Sequence, residues 1–583
     1  MISLIKRMKR PQVITAVLCM LVVTAGSYFE LKLPDYMSSL TLLIQAGAED
    51  VSAILNIGLE MLLIVAISAM LTVASGYLSA RTAAGYTRTL REELFLHITG
   101  FDQENMLGFS VPSLITRTTT DIMQVQNFTS AGLGLCVKAP TMAVWAVIKI
   151  LGRSTELSLV TMVFVVALCL MQFLIVSRVI PRIRIIQKLT DAINRVAREN
   201  ISGIGVVHAF NAEKYEEDKF DKVNTDMMDL QLRNQRLFAV MGPSMGLAMS
   251  GLSLCIYWIG AAILTGMPDT AERITFFSNV VVFSSYATHV VISFSLLVMI
   301  FMMYPMAQVS AERINAVFNA KTRIVPGTET AGDGSGTLEF KDVSFRYPDA
   351  GEDALQHISF RVKKGETLAI IGSTGCGKTS LVNLITRFYD ATGGEVLLDG
   401  VNVQDYSFEG LYNKLGYIAQ KAVLFSGSIR ENLSFGLKNG EFTEDQIRAA
   451  VNTAQAAEFV DKSEGGLDYT LAQAGRNLSG GQKQRLSIAR ALARTPEVLI
   501  FDDSFSALDY RTDADLRAAL AKNFADTIRV IVAQRIGTIR NAEQILVLDE
   551  GKCVGLGTHG ELMKTCRVYQ EIARSQLSAA ELM

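Results

Sequence analysis

The chain has 583 residues, half of them hydrophobic and 19% charged, with a formal net charge of −2. That is too long for one ordinary domain and too poor in charge for a wholly soluble protein of this size, and a near-neutral balance gives no sign of a nucleic-acid partner. The seven cysteines (Cys19, Cys136, Cys169, Cys255, Cys376, Cys553 and Cys566) are scattered, odd in number and form no C-x-x-C pair, which argues against a disulfide framework or a zinc site.

Apolar residues concentrate in the first half, so a membrane region precedes a soluble one. Lys6, Arg7, Lys9 and Arg10 come before an apolar run that starts at Val13. Basic residues followed by an apolar run also fit a signal peptide. The further apolar runs favour a first transmembrane helix, with the preceding residues as a short helix along the membrane surface. Spans are predicted at 13–34, 54–80, 129–150, 157–179, 237–265 and 274–308. Each meets the ~20 residues that a helix needs to cross the hydrocarbon. Six crossings return the chain to its starting side.

The long loops after spans two and four carry Arg81, Arg88, Arg91, Arg182, Arg184 and Lys188. The loops after spans one and five carry Asp35, Glu49, Asp50, Asp269 and Glu272. The positive-inside rule then puts both termini and the long loops in the cytoplasm, with Arg153 as a minor exception. Residues 81–127 and 180–236 read as helices continuing out of the membrane. Glu60, Lys138 and His289 fall in or near spans. Ionisable groups there are costly and are functional candidates, although a headgroup position, snorkelling or hydrogen-bonded packing also accounts for them.

Residues 321–336, with Pro326 and a Gly, Thr, Ser and Asp run, have linker composition. A soluble domain over 337–583 opens on the strand-like Thr337-Leu-Glu-Phe-Lys-Asp-Val-Ser-Phe-Arg-Tyr347. The apolar Thr367–Ile371 reads as a buried strand. Gly372-Ser-Thr-Gly-Cys-Gly-Lys-Thr379 follows, and a helix opens at Ser380. This is the strand–loop–helix setting of a phosphate-binding P-loop. Backbone N–H groups at Gly372, Ser373, Thr374, Gly375, Cys376 and Gly377 would close around phosphates at a helix N-terminus. Lys378 would reach the β- and γ-phosphates of ATP, and Thr379 would offer a hydroxyl to Mg²⁺.

Further motifs follow in order: Leu415-Gly-Tyr-Ile-Ala-Gln420, Leu478-Ser-Gly-Gly-Gln482, Val498-Leu-Ile-Phe-Asp-Asp503 and Ser506-Ala-Leu-Asp509. Together they resemble the nucleotide-binding domain of the ABC transporter superfamily, over about residues 337–575. The resemblance implies an all-α transmembrane domain followed by an α/β ATP-binding cassette. It implies that Tyr347 stacks on adenine and that Ser380 lines the site. Thr379, Gln420 and Asp502 would organise Mg²⁺. Ser479, Gly480, Gly481 and Gln482 would cap ATP held by a second chain. Two stretches, Ser113–Asp121 and Val207–Glu216, resemble the coupling segments of ABC exporters. Without that resemblance they read as solvated helical loops.

Three positions depart from the family pattern. Asp503 stands where a glutamate usually polarises water. Gln534 stands where a histidine usually contacts the γ-phosphate. Gln473 replaces a glutamate before the signature. A weak P-loop site beside an intact signature implies a heterodimeric exporter whose partner half-transporter holds the competent Glu and His, similar to one subunit of bacterial multidrug exporters. A homodimer would carry two weak sites. Amphiphilic drugs, lipids and peptides remain open as cargo. No cysteine-protease segment precedes the first span, which counts against a leader-cleaving peptide exporter. A regulator or ATP-gated conduit that binds nucleotide without pumping, and an importer, are the alternatives.

Overall fold

The computed structural model describes residues 1–45, 51–151, 154–436 and 442–576. Glu49, Asp50 and Arg153 lie outside the described residues, as does the side chain of Arg184. The chain divides into two compact units, Met1–Phe101 with Gly108–Lys321, and Asp102–Leu107 with Thr322–Met583.

Six long helices build the first unit: α1 (Arg10–Gln45), α2 (Val51–Thr99), α3 (Ile122–Leu151), α4 (Thr155–Ser202), α5 (Glu213–Thr265) and α6 (Thr270–Asn319). Among the described residues six helical runs are long and apolar enough to cross a membrane, the third counted from Val111. Several run well beyond the apolar stretch, α5 for 53 residues in all. Leu, Arg, Glu and Ala carry the helix outward because they lose little freedom in it. Starts are fixed by caps. Ser154 accepts the Leu157 N–H ahead of α4, and Asp269 accepts the Ala271 N–H at 3.1 Å ahead of α6. Pro34, Pro140, Pro181, Pro243 and Pro305 sit inside helices, a placement tolerated where neighbouring groups re-satisfy the freed carbonyls. The packed centre includes Leu31, Met142, Leu252, Phe283 and Tyr286. The buried Tyr286 hydroxyl donates to Leu31 O at 2.9 Å and ties α6 to α1.

The two stretches with the character of coupling segments both fall in the first unit. Ser113–Asp121 ends in a π-helical turn, Arg117–Asp121, where the buried Asp121 carboxylate accepts the Ser310 hydroxyl at 2.8 Å. Ile204–Ala209 is a short helix, followed by a turn into α5. The loop piece that packs with the second unit is a different one, Asp102–Leu107. Asp102 accepts the Arg323 N–H at 2.8 Å and Glu104 pairs with Arg323 at 3.3 Å. Its few polar residues carry no periodic signal that would mark it in the sequence.

The second unit is built on a ten-stranded sheet. Its strands are β1 (Thr337–Phe345), β2 (Leu355–Lys363), β3 (Thr367–Gly372), β4 (Gly393–Leu398), β5 (Val401–Asn402), β6 (Leu415–Ile418), β7 (Val498–Asp502), β8 (Ile528–Val532), β9 (Gln544–Asp549) and β10 (Lys552–Gly557). They lie in the order β5-β4-β1-β2-β10-β9-β3-β8-β7-β6. The run β9-β3-β8-β7-β6 is parallel, and β1 pairs antiparallel with β2 and β4. Parallel strands covered on both faces read as continuous apolar runs. All five residues of β7 are buried, as are four of the five in β8, Arg529 being the exception.

Candidate functional site

Parallel strands present their carboxyl ends along one edge, the usual place for a site in an open α/β sheet. Here β3 ends at Gly372, β7 at Asp502, β8 two residues before Gln534, and β6 two residues before Gln420. The register fixes this, since Ile370 lies opposite Val532, and Val532 opposite Asp502. The result is a cavity of about 330 Å³ whose lining includes Thr374, Lys378, Gln420, Asp502, Asp503 and Gln534. Tyr347, Gly375, Gly377, Thr379 and Ser380 complete it, with Ala354 and Val532, which no motif marked.

The loop demands glycine for two separate reasons. At Gly372 a Cβ would stand 2.1 Å from the Leu548 carbonyl. At Gly377, with φ 102°, the chain turns through the left-handed region to start helix α7 (Lys378–Ile385). Around Gly375 nothing lies within 4 Å of a built Cβ, so the cradle is open there. Lys378 Nζ curls over the loop and donates to Gly372 O at 2.8 Å and Ser373 O at 2.6 Å. The open cradle, helix N-terminus and lysine fit the phosphates of ATP. Thr379, Gln420 and Asp502 bring a hydroxyl, an amide oxygen and a carboxylate to the same cavity, the hard oxygen donors that suit Mg²⁺.

Some expected residues are placed differently from their motif reading. Cys376 is only 3% exposed and its side chain packs in the core beside β3, so only its backbone belongs to the loop surface. Tyr347 lines the cavity, yet its hydroxyl is hydrogen-bonded to Ser380 Oγ at 2.9 Å and its ring is held edge-on by Phe345 and Tyr389.

Asp503 follows Asp502 at the end of β7 and lines the same cavity. It sits at φ 48°, in the left-handed region that Asp tolerates better than most residues. Its Oδ2 accepts two amide N–H groups, from Gln534 Nε2 at 2.8 Å and Gln420 Nε2 at 3.2 Å. Burial pushes the Asp503 carboxyl up from its ordinary value, with the two amides, Lys378 and Arg535 pulling the other way. Burial and the neighbouring Asp503 charge likewise push Asp502 up.

The signature residues do not line this cavity. Ser479 caps helix α8 (Gly480–Ala493). Its Oγ accepts the Gln482 N–H, while Gln482 Oε1 accepts the Ser479 N–H at 2.8 Å. Ser479 and Gly480 are exposed, so the helix N-terminus is open to solvent. Asp509 caps the following helix, Tyr510–Asn523, by accepting the Thr512 N–H at 2.9 Å. Gln473 is exposed at the start of a short 3-10 turn. A contact that no motif signalled comes from helix α9 (Arg567–Gln576). Gln576 Oε1 accepts the Ile536 N–H at 2.9 Å, and its Nε2 donates to Gln534 O at 2.8 Å.

Two family models match this architecture: the ABC transporter over residues 355–506, and the ABC transporter transmembrane region over 13–290. An uncharacterised ABC transporter ATP-binding protein of Mycobacterium tuberculosis is 36% identical, over 91% of this chain and 90% of its own length. The chain belongs to the ABC transporter family. An ABC transporter ATP-binding protein of Bacillus subtilis is 35% identical over 86% of both chains. The ATP-dependent lipid A-core flippase of Mannheimia succiniciproducens is 30% identical, over 91% of this chain and 90% of the flippase. A bacterial Atm1-family ABC exporter with ATP bound has the same fold, with a TM-score of 0.80, 23% identity, and coverage of 98% of this chain and 99% of that one. This ABC transporter is therefore a multi-pass integral membrane protein with the fold of an exporter half-transporter.

Proposed function

We propose that this chain is one half of a heterodimeric, ATP-driven exporter that moves amphiphilic molecules outward across a bacterial plasma membrane. Both termini and the nucleotide-binding domain are then cytoplasmic, as the basic loops indicate. In this reading its own P-loop site binds Mg-ATP and turns it over slowly, while its signature completes a competent site on the partner. The single observation that carries the reading is the pairing of Asp503, doubly held by Gln420 and Gln534, with an intact and solvent-open signature helix. With Oδ2 already accepting two N–H groups, only Oδ1 is left to take a proton from water, on a side chain one methylene shorter than glutamate. A general base typically contributes ~10²–10⁴-fold to a rate, and a reacting group misplaced by ~1 Å can cost ~10²-fold. The kinship with lipid A-core flippases supports lipids or lipid-like amphiphiles as the cargo class.

Co-purification tests the pairing. The tagged chain, expressed with its neighbouring reading frames, is expected to bring down a homologous half-transporter that carries Glu and His at the positions of Asp503 and Gln534. A purified homodimer with vigorous ATP hydrolysis and transport would contradict it.

A further inference from the structure

Gln534 lines the nucleotide cavity and donates to Asp503 Oδ2 at 2.8 Å, yet it lies beyond the end of β8. The sheet grips this segment as far as Ala533, whose N–H donates to Ile370 O at 3.2 Å. From there the hold passes to α9. Gln576 Nε2 donates to Gln534 O at 2.8 Å, and Gln576 Oε1 accepts the Ile536 N–H at 2.9 Å. One carboxamide thus spans the two peptide groups on either side of Arg535. The Arg535 guanidinium in turn lies 5.0 Å over the Tyr510 ring. Tyr510 directly follows the Ser506–Asp509 motif.

The helix that supplies this grip is firmly seated. Tyr569 and Ala573 are both 0% exposed, and Gln576 follows them at the i, i+4, i+7 spacing of one helical face. Those two buried residues dock α9 by themselves, while Gln576 occupies the last turn, where helices fray. Docking alone therefore gives no reason for a polar side chain there. A carboxamide offers one acceptor beside one donor, the match for a peptide N–H and a peptide C=O. An aliphatic side chain matches neither, and a carboxylate matches only the N–H. With its backbone fixed at both ends of Arg535, Gln534 keeps only its side-chain torsions, and the bond to Asp503 settles those. Asp502, the carboxylate suited to Mg²⁺, lines the same cavity. In P-loop sites the metal bridges the β- and γ-phosphates. The groups beside Asp502 therefore face the phosphate that ATP has and ADP lacks.

We propose that Gln576 is a positioning residue for this chain's ATP site: from α9 it holds the Gln534 carboxamide towards the cavity and so sets how tightly the site keeps ATP over ADP. This role rests on the reading of the chain as half of an ATP-driven exporter.

Photolabelling of the assembled transporter with 8-azido-ATP tests it, because label on this chain and label on its partner are resolved by mass. Competition with ATP and with ADP gives an affinity for each nucleotide at each chain. Gln576→Ala is expected to weaken ATP at this chain's site about fivefold, the worth of one hydrogen bond. ADP at this site, and both nucleotides at the partner's site, should be unaffected. A residue that acts through another is not additive with it. Gln534→Ala and the double variant Gln534→Ala with Gln576→Ala are therefore expected to weaken ATP equally. Equal weakening of ATP and ADP, an unchanged ATP affinity, or a double variant weaker than Gln534→Ala alone overturns the proposal and leaves Gln576 as a helix staple. Gln576→Met keeps the length of the side chain without its polar atoms, and it carries the same expectation if the alanine variant fails to assemble. Label on a single kind of chain, with the ATP-specific loss intact, removes the heterodimer and leaves the role of Gln576. Label on two kinds of chain without that loss removes the role and leaves the heterodimer.

Discussion

At the scale of single residues, the P-loop separates what geometry demands from what chemistry demands. A methyl group at Gly372 would collide with the Leu548 carbonyl at 2.1 Å, while one at Gly480 meets nothing within 4 Å. Overpacking of this kind costs typically ~1–3 kcal/mol. Gly372→Ala is therefore expected to lower the nucleotide-free melting temperature of the protein clearly, and Gly480→Ala to leave it nearly unchanged. Calorimetry of the two variants checks this, and equal melting temperatures would contradict it. The residues around this loop were legible in the sequence because a phosphate cradle is local: eight consecutive positions and a helix start define it. The burial of Cys376 was not legible, because which way a loop side chain turns depends on strands distant in sequence. Nor was the double hold on Asp503, since Gln420 and Gln534 reach it from the loops after β6 and β8. Glu30, which pairs with Lys138 at 2.9 Å, was equally hidden, on another helix more than a hundred positions away.

At the scale of elements, helix α9 gains a role that its own sequence does not announce. Gln576 grips the backbone on both sides of Arg535, through Gln534 O and the Ile536 N–H. Gln576→Ala is expected to leave the fold intact and to raise hydrogen exchange at the Ile536 amide. Unchanged exchange there would show that the clasp does not form in solution. The same helix is tied to its neighbour by a 2.7 Å hydrogen bond between His559 and Tyr569. Burial, with a contribution from the Arg540 charge, holds the His559 imidazole below the ordinary histidine range. The unfolded chain therefore takes up that proton first as pH falls. The stability contributed by neutral His559 is complete above the ordinary histidine pKa and is lost on acidification below it. The melting temperature of the wild type should fall more steeply from pH 7.5 to 5.5 than that of His559→Asn (pH range set by the ~6.5 reference value). Parallel slopes would contradict this. The cores of the membrane helices were legible from hydropathy alone, whereas their ends were not. Polar helix formers extend them past the apolar stretch, where no hydrophobic signal marks the boundary.

At the scale of the whole molecule, the order of motifs was enough to divide the chain into a helical membrane region and an ATP-binding cassette. The assignment of Asp102–Leu107 to the second unit was not foreseeable, because it rests on contacts with Arg323, far along the chain. In the proposed heterodimer the weak site belongs to this chain's P-loop and the strong one to its partner's. A substituent at Gly481 meets only the Ala507 carbonyl at 3.5 Å, an ordinary contact. A carboxylate in the first turn of α8 also favours the helix. Gly481→Asp should therefore fold normally while turning a negative charge towards the partner's phosphates. Losing ~3 kcal/mol of transition-state stabilisation would cut turnover by more than ~10²-fold. The decisive measurement is steady-state hydrolysis by the assembled transporter at saturating Mg-ATP and equal assembly. Asp503→Ala is predicted to cost little and Gly481→Asp to nearly abolish turnover, whereas loss of hydrolysis in Asp503→Ala with activity preserved in Gly481→Asp would contradict the account.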